Sequence, residues 1–285
     1  MANTRTLNRR IRSVKNAQQI TKAMELVAAS KLRRMGDMVE HSRIYADASS
    51  AVVARLTHTV EAKAHPFFSG KPSGEKLFVV FSSDRGLAGA FNSNVINTAI
   101  KAMEQTQPSV IVFGKKGANF FSRLKNIRLL GAYTDIADNP DINVFAPLID
   151  TVSDGISNGQ FSEVNLVYTQ YVSTLVQKAT VLKMLPIEAG IIDANQEQKS
   201  TVFELEPDAE SVLDSALRLY VESMLLRVRI EAAASEYASR MMAMNSANRN
   251  AGELIDDLTL ELNATRQAAI TQEIAEITGG ANAIE

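Results

Sequence analysis

The sequence contains no cysteine and no tryptophan. Without thiols, disulfides, thiolate catalysis and cysteine-based metal sites are excluded. The absence also fits a reducing compartment. Histidine is scarce, with only His41, His58 and His65. No apolar run approaches the ~18 residues that read as a bilayer-spanning helix, and no signal peptide is visible. Net charge is −2, so the chain as a whole carries no strong field toward nucleic acid or an anionic membrane. Proline and glycine are missing in a pattern. Residues 1–65 hold one glycine, Gly36, and residues 208–278 hold one, Gly252; neither stretch has a proline. All seven prolines and ten of the fourteen glycines fall between 66 and 207. These residues punctuate structure. The pattern predicts a helix in 1–65, a turn-rich folded domain in 66–207 and a second helix in 208–285, with Gly279-Gly280 following its regular part.

The first helix is traced by a stripe at steps of three and four: Leu7, Ile11, Val14, Ala17, Ile20, Met24, Ala28, Leu32, Met35, Val39, Ser42, Ala46, Ser49, Val53 and Leu56. From Leu32 the steps alternate as in a coiled coil. The seam is rich in alanine and serine, so helices meeting there approach closely. "EPDAES" opens the second helix, with proline suited to the first turn and Asp208 to the N-cap. Its stripe includes Leu226, Ile230, Ala233, Tyr237, Met241, Met244, Ala247, Ala251, Ile255, Leu258 and Leu262, then Ile270, Ile274 and Ile277. Some fifty and seventy residues correspond to about 75 and 105 Å at helical rise. Neither helix buries its stripe alone, so they are expected to pair antiparallel. The longer one then has a surplus, "ATRQAAITQEIAEITGGANAIE", which is expected to seat in something else rather than fray.

Charge is divided between the ends. Residues 1–35 carry Arg5, Arg9, Arg10, Arg12, Lys15, Lys22, Lys31, Arg33 and Arg34 against Glu25 alone. Residues 251–285 carry Glu253, Asp256, Asp257, Glu261, Glu273, Glu276 and Glu285 against Arg266. Opposite fields favour antiparallel alignment. A basic arm for nucleic acid is the rival reading, but no aromatic platform or reading motif accompanies it. The arginine-rich start also has the composition of a transit peptide, yet it runs unbroken into the helix.

The middle block alternates. "KLFVVFSS" and "SVIVFG" read as buried strands flanking the helix "AFNSNVINTAIKAMEQ". "NIRLLGAY" reads as a strand, "NVFAPLIDTVSDGIS" as a helix, and "EVNLVYTQYV" with "KATVLKMLPI" as a hairpin-like pair. Strand–helix–strand order implies a mostly parallel, Rossmann-like sheet. "SSDRGLAGAFN" (82–92) stands where a phosphate loop would, but lacks a Gly-Lys-Ser/Thr ending and has only Gly86 and Gly89. A tight turn explains these glycines. His58, Glu61 and His65 share a helical face, which a metal could use, although a solvated face explains it as well. No Ser/His/Asp set or buried acid pair stands out. Arg85 on its turn, and Arg266 with Gln267 on the surplus helix, offer hydrogen bonds to a partner. The methionines of the long helices, Met24 among them, serve as core or as adaptable contacts.

Three long motifs carry a resemblance: "RIRSVKNAQQITKAMELVAASKLRR" (10–34), "SSDRGLAGAFN", and "SRMMAMNSANRNAGELIDDLTLELNATRQAAITQEIAEITGGA" (239–281). In this order they resemble the ATP synthase gamma subunits over the whole chain. The resemblance implies an α/β protein: a long antiparallel coiled coil of N- and C-terminal helices plus a Rossmann-like middle domain. It implies a rotor shaft in a hexamer of alpha and beta subunits, with the foot against the epsilon subunit and the membrane c-ring. It implies no catalysis, no cofactor and no metal, a peripheral place on the cytoplasmic face of a bacterial plasma membrane, and no membrane span. By motif position, Met24, Lys31 and Arg85 map to contacts with the moving region of beta, and Arg266 and Gln267 to a beta loop higher in the cavity. Where the family turn often reads Cys-Gly-Gly, this chain has Ala88-Gly89-Ala90. The cysteine-bearing insert of the plastid branch is absent.

Overall fold

The computed structural model describes residues 2–57, 65–69, 74–104, 108–187 and 206–282. Helix α1 spans Ala2–Leu56, and a helical turn, α2, spans Pro66–Ser69. The middle runs β1 (Glu75–Phe81), α3 (Phe91–Met103), β2 (Ser109–Phe113), α4 (Lys115–Phe121) and β3 (Arg128–Tyr133). A 3-10 turn (Ile142–Phe145) leads into α5 (Ala146–Ser157), then β4 (Phe161–Tyr171) and β5 (Gln177–Leu185). Helix α6 spans Ala209–Asn282. By contacts the chain divides into two units: Met1–Ala29 with Arg240–Glu285, and Ser30–Ser239.

The larger unit is built on one sheet ordered β3-β2-β1-β4-β5. Strands β1 to β4 are parallel, and β5 runs antiparallel to β4 as the hairpin pattern predicts. The centre is apolar on both faces, which is what a parallel sheet covered on both sides requires. Leu77, Val79 and Phe81 point to one cluster with Ile111, Phe113 and Leu166. That cluster also takes Phe145, Leu148 and Val152 near α5, residues from Leu213 to Ala232 of α6, and Ala46, Val53 and Leu56 of α1. Phe78 and Val80 point the other way, to Val95, Ala99 and Met103 of α3 and to Phe121 of α4. Register places Phe81 beside Phe113 and Phe113 beside Tyr133. Their rings stack at 4.7 and 4.9 Å between centroids, a ladder across three strands. Gly155 lies so close to the Phe161 ring that a Cβ there would overlap it.

Helix α6 starts as the sequence indicates, since Asp208 Oδ1 accepts the backbone N–H of Ser211 at 2.8 Å. Pro207 precedes this cap and is not in the first turn, and Gly279 and Gly280 continue the helix. Helix α4 was not expected from "GKKGANFF". Its seven residues are too few for a period to show.

The seam of α1 corrects the sequence reading. Its inward positions are Leu7, Ile11, Val14, Gln18, Thr21, Glu25, Ala28, Leu32, Met35, Val39, Ser42, Ala46, Ser49, Val53 and Leu56. The steps alternate four and three from end to end, a heptad repeat of the whole helix. Ala17 and Ile20 are exposed, Ile20 at 61%. Met24 is only half-buried. Following the large apolar side chains pulls the predicted stripe off the heptad between Val14 and Ala28. There the seam is polar.

In the smaller unit α1 and α6 run antiparallel. Leu7 and Ile11 pack with Leu258, flanked by Val14, Ile255 and Leu262. Through the polar stretch, Gln18 Nε2 donates to the Asn248 carbonyl at 3.3 Å, and Asn245 Nδ2 donates to Glu25 Oε1 at 3.1 Å. That amide, followed by the Lys22 ammonium, holds the Glu25 carboxyl below its ordinary pKa. Gly252 leaves room for the Gln18 amide, whose Nε2 would lie 3.3 Å from an added Cβ. Past Leu262, Ile270, Ile274 and Ile277 are exposed at 48, 58 and 72%.

Candidate functional site

The crevice at the carboxyl edge of a doubly wound sheet, where strand order reverses, is the usual ligand position in this architecture. Here it falls between β1 and β4, and the long helices of the same unit bond to its β4 side. Arg43 of α1 donates to the Tyr171 carbonyl at the end of β4 at 2.6 Å. Ser235 of α6 donates to the Thr169 carbonyl at 2.9 Å. Arg229 donates to the carbonyls of Ile136 and Ala137, beyond β3, at 2.9 and 3.1 Å.

The 82–92 turn is occupied in the same way. Asp84 accepts the backbone N–H of Lys115 at 3.0 Å and that of Asp135 at 3.1 Å. The Asp84 carboxylate is thus fixed within the turn, and its charge disfavours an anion beside it. Ser83 donates to the Arg85 carbonyl at 2.6 Å, and its own N–H goes to Asn92. The turn is rigid and presents Arg85 and Leu87 outward; Leu87 is 63% exposed at φ 62°. A leucine held in the left-handed region and facing solvent is costly. Composition gave no sign of it.

Two charged networks join the long helices to the sheet. Glu231 of α6 is fully buried, and its Oε1 accepts from Arg43 Nε at 2.9 Å and Arg227 Nε at 3.3 Å. Arg227 also reaches Asp47 at 3.2 Å. Burial first, and then the Glu231 charge, push the Tyr168 phenol up to about 12. The sequence does carry a trace of this network: Arg227 and Glu231 stand four apart on the helix, the spacing of an ion pair on one face. The second network has no such trace. Lys31 Nζ donates to Tyr237 OH at 2.9 Å and lies 3.3 Å from Asp138 Oδ2, while Tyr237 OH donates to Asp138 at 2.7 Å. The Tyr237 hydroxyl, with the Asp138 charge assisting, keeps the Lys31 pKa raised against its partial burial.

The predicted residues stand on three elements. Met24 and Lys31 lie seven residues apart on α1, Arg85 on the β1–α3 turn, and Arg266 and Gln267 on an exposed stretch of α6. Lys31 is drawn into the second network. Of the basic stretch, Lys22 pairs with Glu25 on its own helix and Lys31 with Asp138; among the described residues no ion pair joins it to the acidic stretch 251–285. Arg9, Arg10, Arg12, Lys15, Arg33 and Arg34 are exposed. Of the candidate metal trio, His58 and Glu61 lie outside the described residues.

His65 is held neutral. Its Nδ1 accepts the Phe67 N–H at 3.1 Å, and Nε2 lies 3.3 Å from Asp214 Oδ1. Burial is the main cause that lowers its pKa from 6.5, opposed by Asp214 and Glu210. A histidine favoured neutral in the fold stabilises fully above the unfolded value. That contribution is lost as pH falls from there through the lowered folded value. Denaturant titrations from about pH 7.5 to about pH 5 are expected to show this loss, and His65→Gln to flatten it.

No helix among the described residues is long and apolar enough to cross a membrane. A family model described as ATP synthase matches residues 3–284. The chain is 40% identical over 288 residues to the ATP synthase gamma chain of Desulfitobacterium hafniense, covering all of both chains. It is 38% identical over 281 residues to that of Clostridium acetobutylicum, covering 98% of this chain and 97% of the relative. Among solved structures it is similar in fold to a chain of the Euglena gracilis mitochondrial ATP synthase rotor. The TM-score is 0.67 at 18% identity, over 94% of this chain and 99% of that one. Another similar chain comes from the central stalk and c-ring structure of the Tetrahymena thermophila mitochondrial enzyme. There the TM-score is 0.62 at 25% identity, over 80% of this chain and 99% of that one. With a family model spanning nearly its whole length and gamma-chain relatives matched end to end, the chain belongs to the ATP synthase gamma-chain family.

Proposed function

We propose that this chain is the central rotor shaft of an F-type ATP synthase, with residues 1–65 and 208–285 as the shaft and 66–207 as the foot. One observation carries the reading: α6 continues past Leu262, its last packed seam leucine, and exposes Ile270, Ile274 and Ile277. An apolar helix face without a partner in its own unit fits a sleeve supplied by other subunits. The shaft is not catalytic itself. Alpha and beta subunits surround it, and the epsilon subunit and the c-ring engage the foot at the cytoplasmic face of a bacterial plasma membrane.

The physics of coupling follows. A single asymmetric shaft offers each of three beta subunits a different face. A contact shifts a partner's conformation only by its differential affinity for the two states. Turning the shaft redistributes those affinities, and nucleotide steps in beta return torque by the same linkage. Met24, Lys31 and Arg85 meet the moving region of beta, and Arg266 and Gln267 meet a loop higher in the cavity. The helix bonds at the end of β4 and the carboxylate in the 82–92 turn support a mechanical role over nucleotide chemistry in this chain.

Co-expression with the alpha and beta subunits tests the reading. The expected product is an ATPase complex with one copy of this chain per three alpha–beta pairs. Equimolar incorporation, or none, overturns it.

A further inference from the structure

Lys31 is both a proposed partner contact and a member of an internal network, and these two roles compete. Its ammonium has three donors. One goes to the Tyr237 hydroxyl at 2.9 Å and one to Asp138 Oδ2 at 3.3 Å, with the Tyr237 ring centroid 4.9 Å away. The side chain is still 51% exposed, so one side of the cation remains in solvent. Asp138 itself is held in place. Tyr237 donates to it at 2.7 Å, and Arg229 pins the carbonyls of Ile136 and Ala137 while its Nη2 lies 3.9 Å from Asp138 Oδ1.

We propose that Asp138 is a positioning residue that holds Lys31 to the body and weakens its attraction to an acidic partner surface. The inference rests on the reading of Lys31 as a shaft contact. An acidic partner is favoured by the exposed Arg34, three residues on and on the same helix face as Lys31, a pair that a carboxylate-rich surface would complement. A shaft that must pass one partner after another needs contacts of limited depth, because each contact that must be broken adds to the barrier of the next step. A carboxylate tied to the cation supplies that limit. It neutralises part of the charge, fixes the direction of the ammonium and remains its partner when the external one moves away.

The test uses the purified complete complex carrying Asp138→Asn, Lys31→Gln and both together, with ATP turnover measured across ionic strength. Asp138→Asn keeps the side-chain shape and frees the Lys31 charge. It is expected to slow turnover about two- to fivefold at low salt, the range of one strengthened surface ion pair, with the deficit shrinking as salt rises. Asp138→Ser, which removes the charge without an amide, is expected to do the same. On a Lys31→Gln background, Asp138→Asn is expected to add nothing. A merely structural role would give a deficit that ignores salt and persists without Lys31, and that result overturns the proposal, as does unchanged turnover in Asp138→Asn. If Lys31→Gln alone leaves turnover and proton pumping untouched in an intact complex, Lys31 is not a partner contact and both readings of it fail. If Lys31→Gln has an effect and Asp138→Asn has none, only the Asp138 proposal falls.

Discussion

Arg43→Met is expected to destabilise the chain by about 1.5–3 kcal/mol, the cost of removing one of two charged hydrogen-bond partners from a buried carboxylate. Glu231 is fully buried, its Oε2 accepts no hydrogen bond among the described residues, and Arg43 Nε makes the shorter of its two ion pairs. The variant also strips the Tyr171 carbonyl of the Arg43 bond. Arg227 Nε remains 3.3 Å from Glu231, with its Nη1 turned to Asp47. Adding Glu231→Leu removes the stranded carboxylate and is expected to recover part of the loss, because a buried pair replaced by apolar groups is often neutral. Denaturant unfolding of the two variants measures both effects. A double variant less stable than Arg43→Met would mean that the carboxylate is not what the arginine compensates.

The second large effect lies at the carboxyl edge of the sheet. Gly114→Ala is expected to cost about 3 kcal/mol or more, from backbone strain plus overpacking. Gly114 sits at φ 96°, and a Cβ there would collide with the Ser82 carbonyl. The conflict cannot be relieved by rotating a side chain. The Ser82 N–H and Oγ are both bonded to the Phe113 carbonyl, and the Gly114 N–H is bonded to that of Tyr133. Strands β1, β2 and β3 are thus joined at this residue. Lower soluble yield and an earlier thermal transition check the prediction; a wild-type transition would show that the edge can yield.

The elements were legible where one physical rule dominated. Missing glycine and proline marked the long helices. Continuous apolar runs marked β1 and β2, and alternation marked β4 with β5. The seam of α1 between Val14 and Ala28 was misread because Ile20 and Met24 attract any rule that follows large apolar groups. Gln18 and Glu25 belong to the seam through Asn248 and Asn245, residues some two hundred positions away. Nothing local distinguishes such a glutamine from a solvated one. Asp138 was invisible for the same reason, since its meaning comes from Lys31 and Tyr237. Glu231 was readable in principle, as an acid four residues after Arg227 on the same helix. The proposed contact residues came from motif resemblance, and the geometry adds where each stands.

The polar stretch of the seam also fixes an address. Apolar heptads of alanine and leucine tolerate a slip of seven residues, about 10 Å at helical rise, because one layer resembles the next. A slip of α6 by one heptad would set Glu25 against a residue other than Asn245 and move the Asn248 carbonyl away from Gln18. The two hydrogen bonds therefore act as an index mark, selecting one alignment from a ladder of near-equivalent ones. With that mark set, the height of Arg266 and Gln267 on α6 relative to Met24 on α1 is specified by the chain itself, before any partner closes around it.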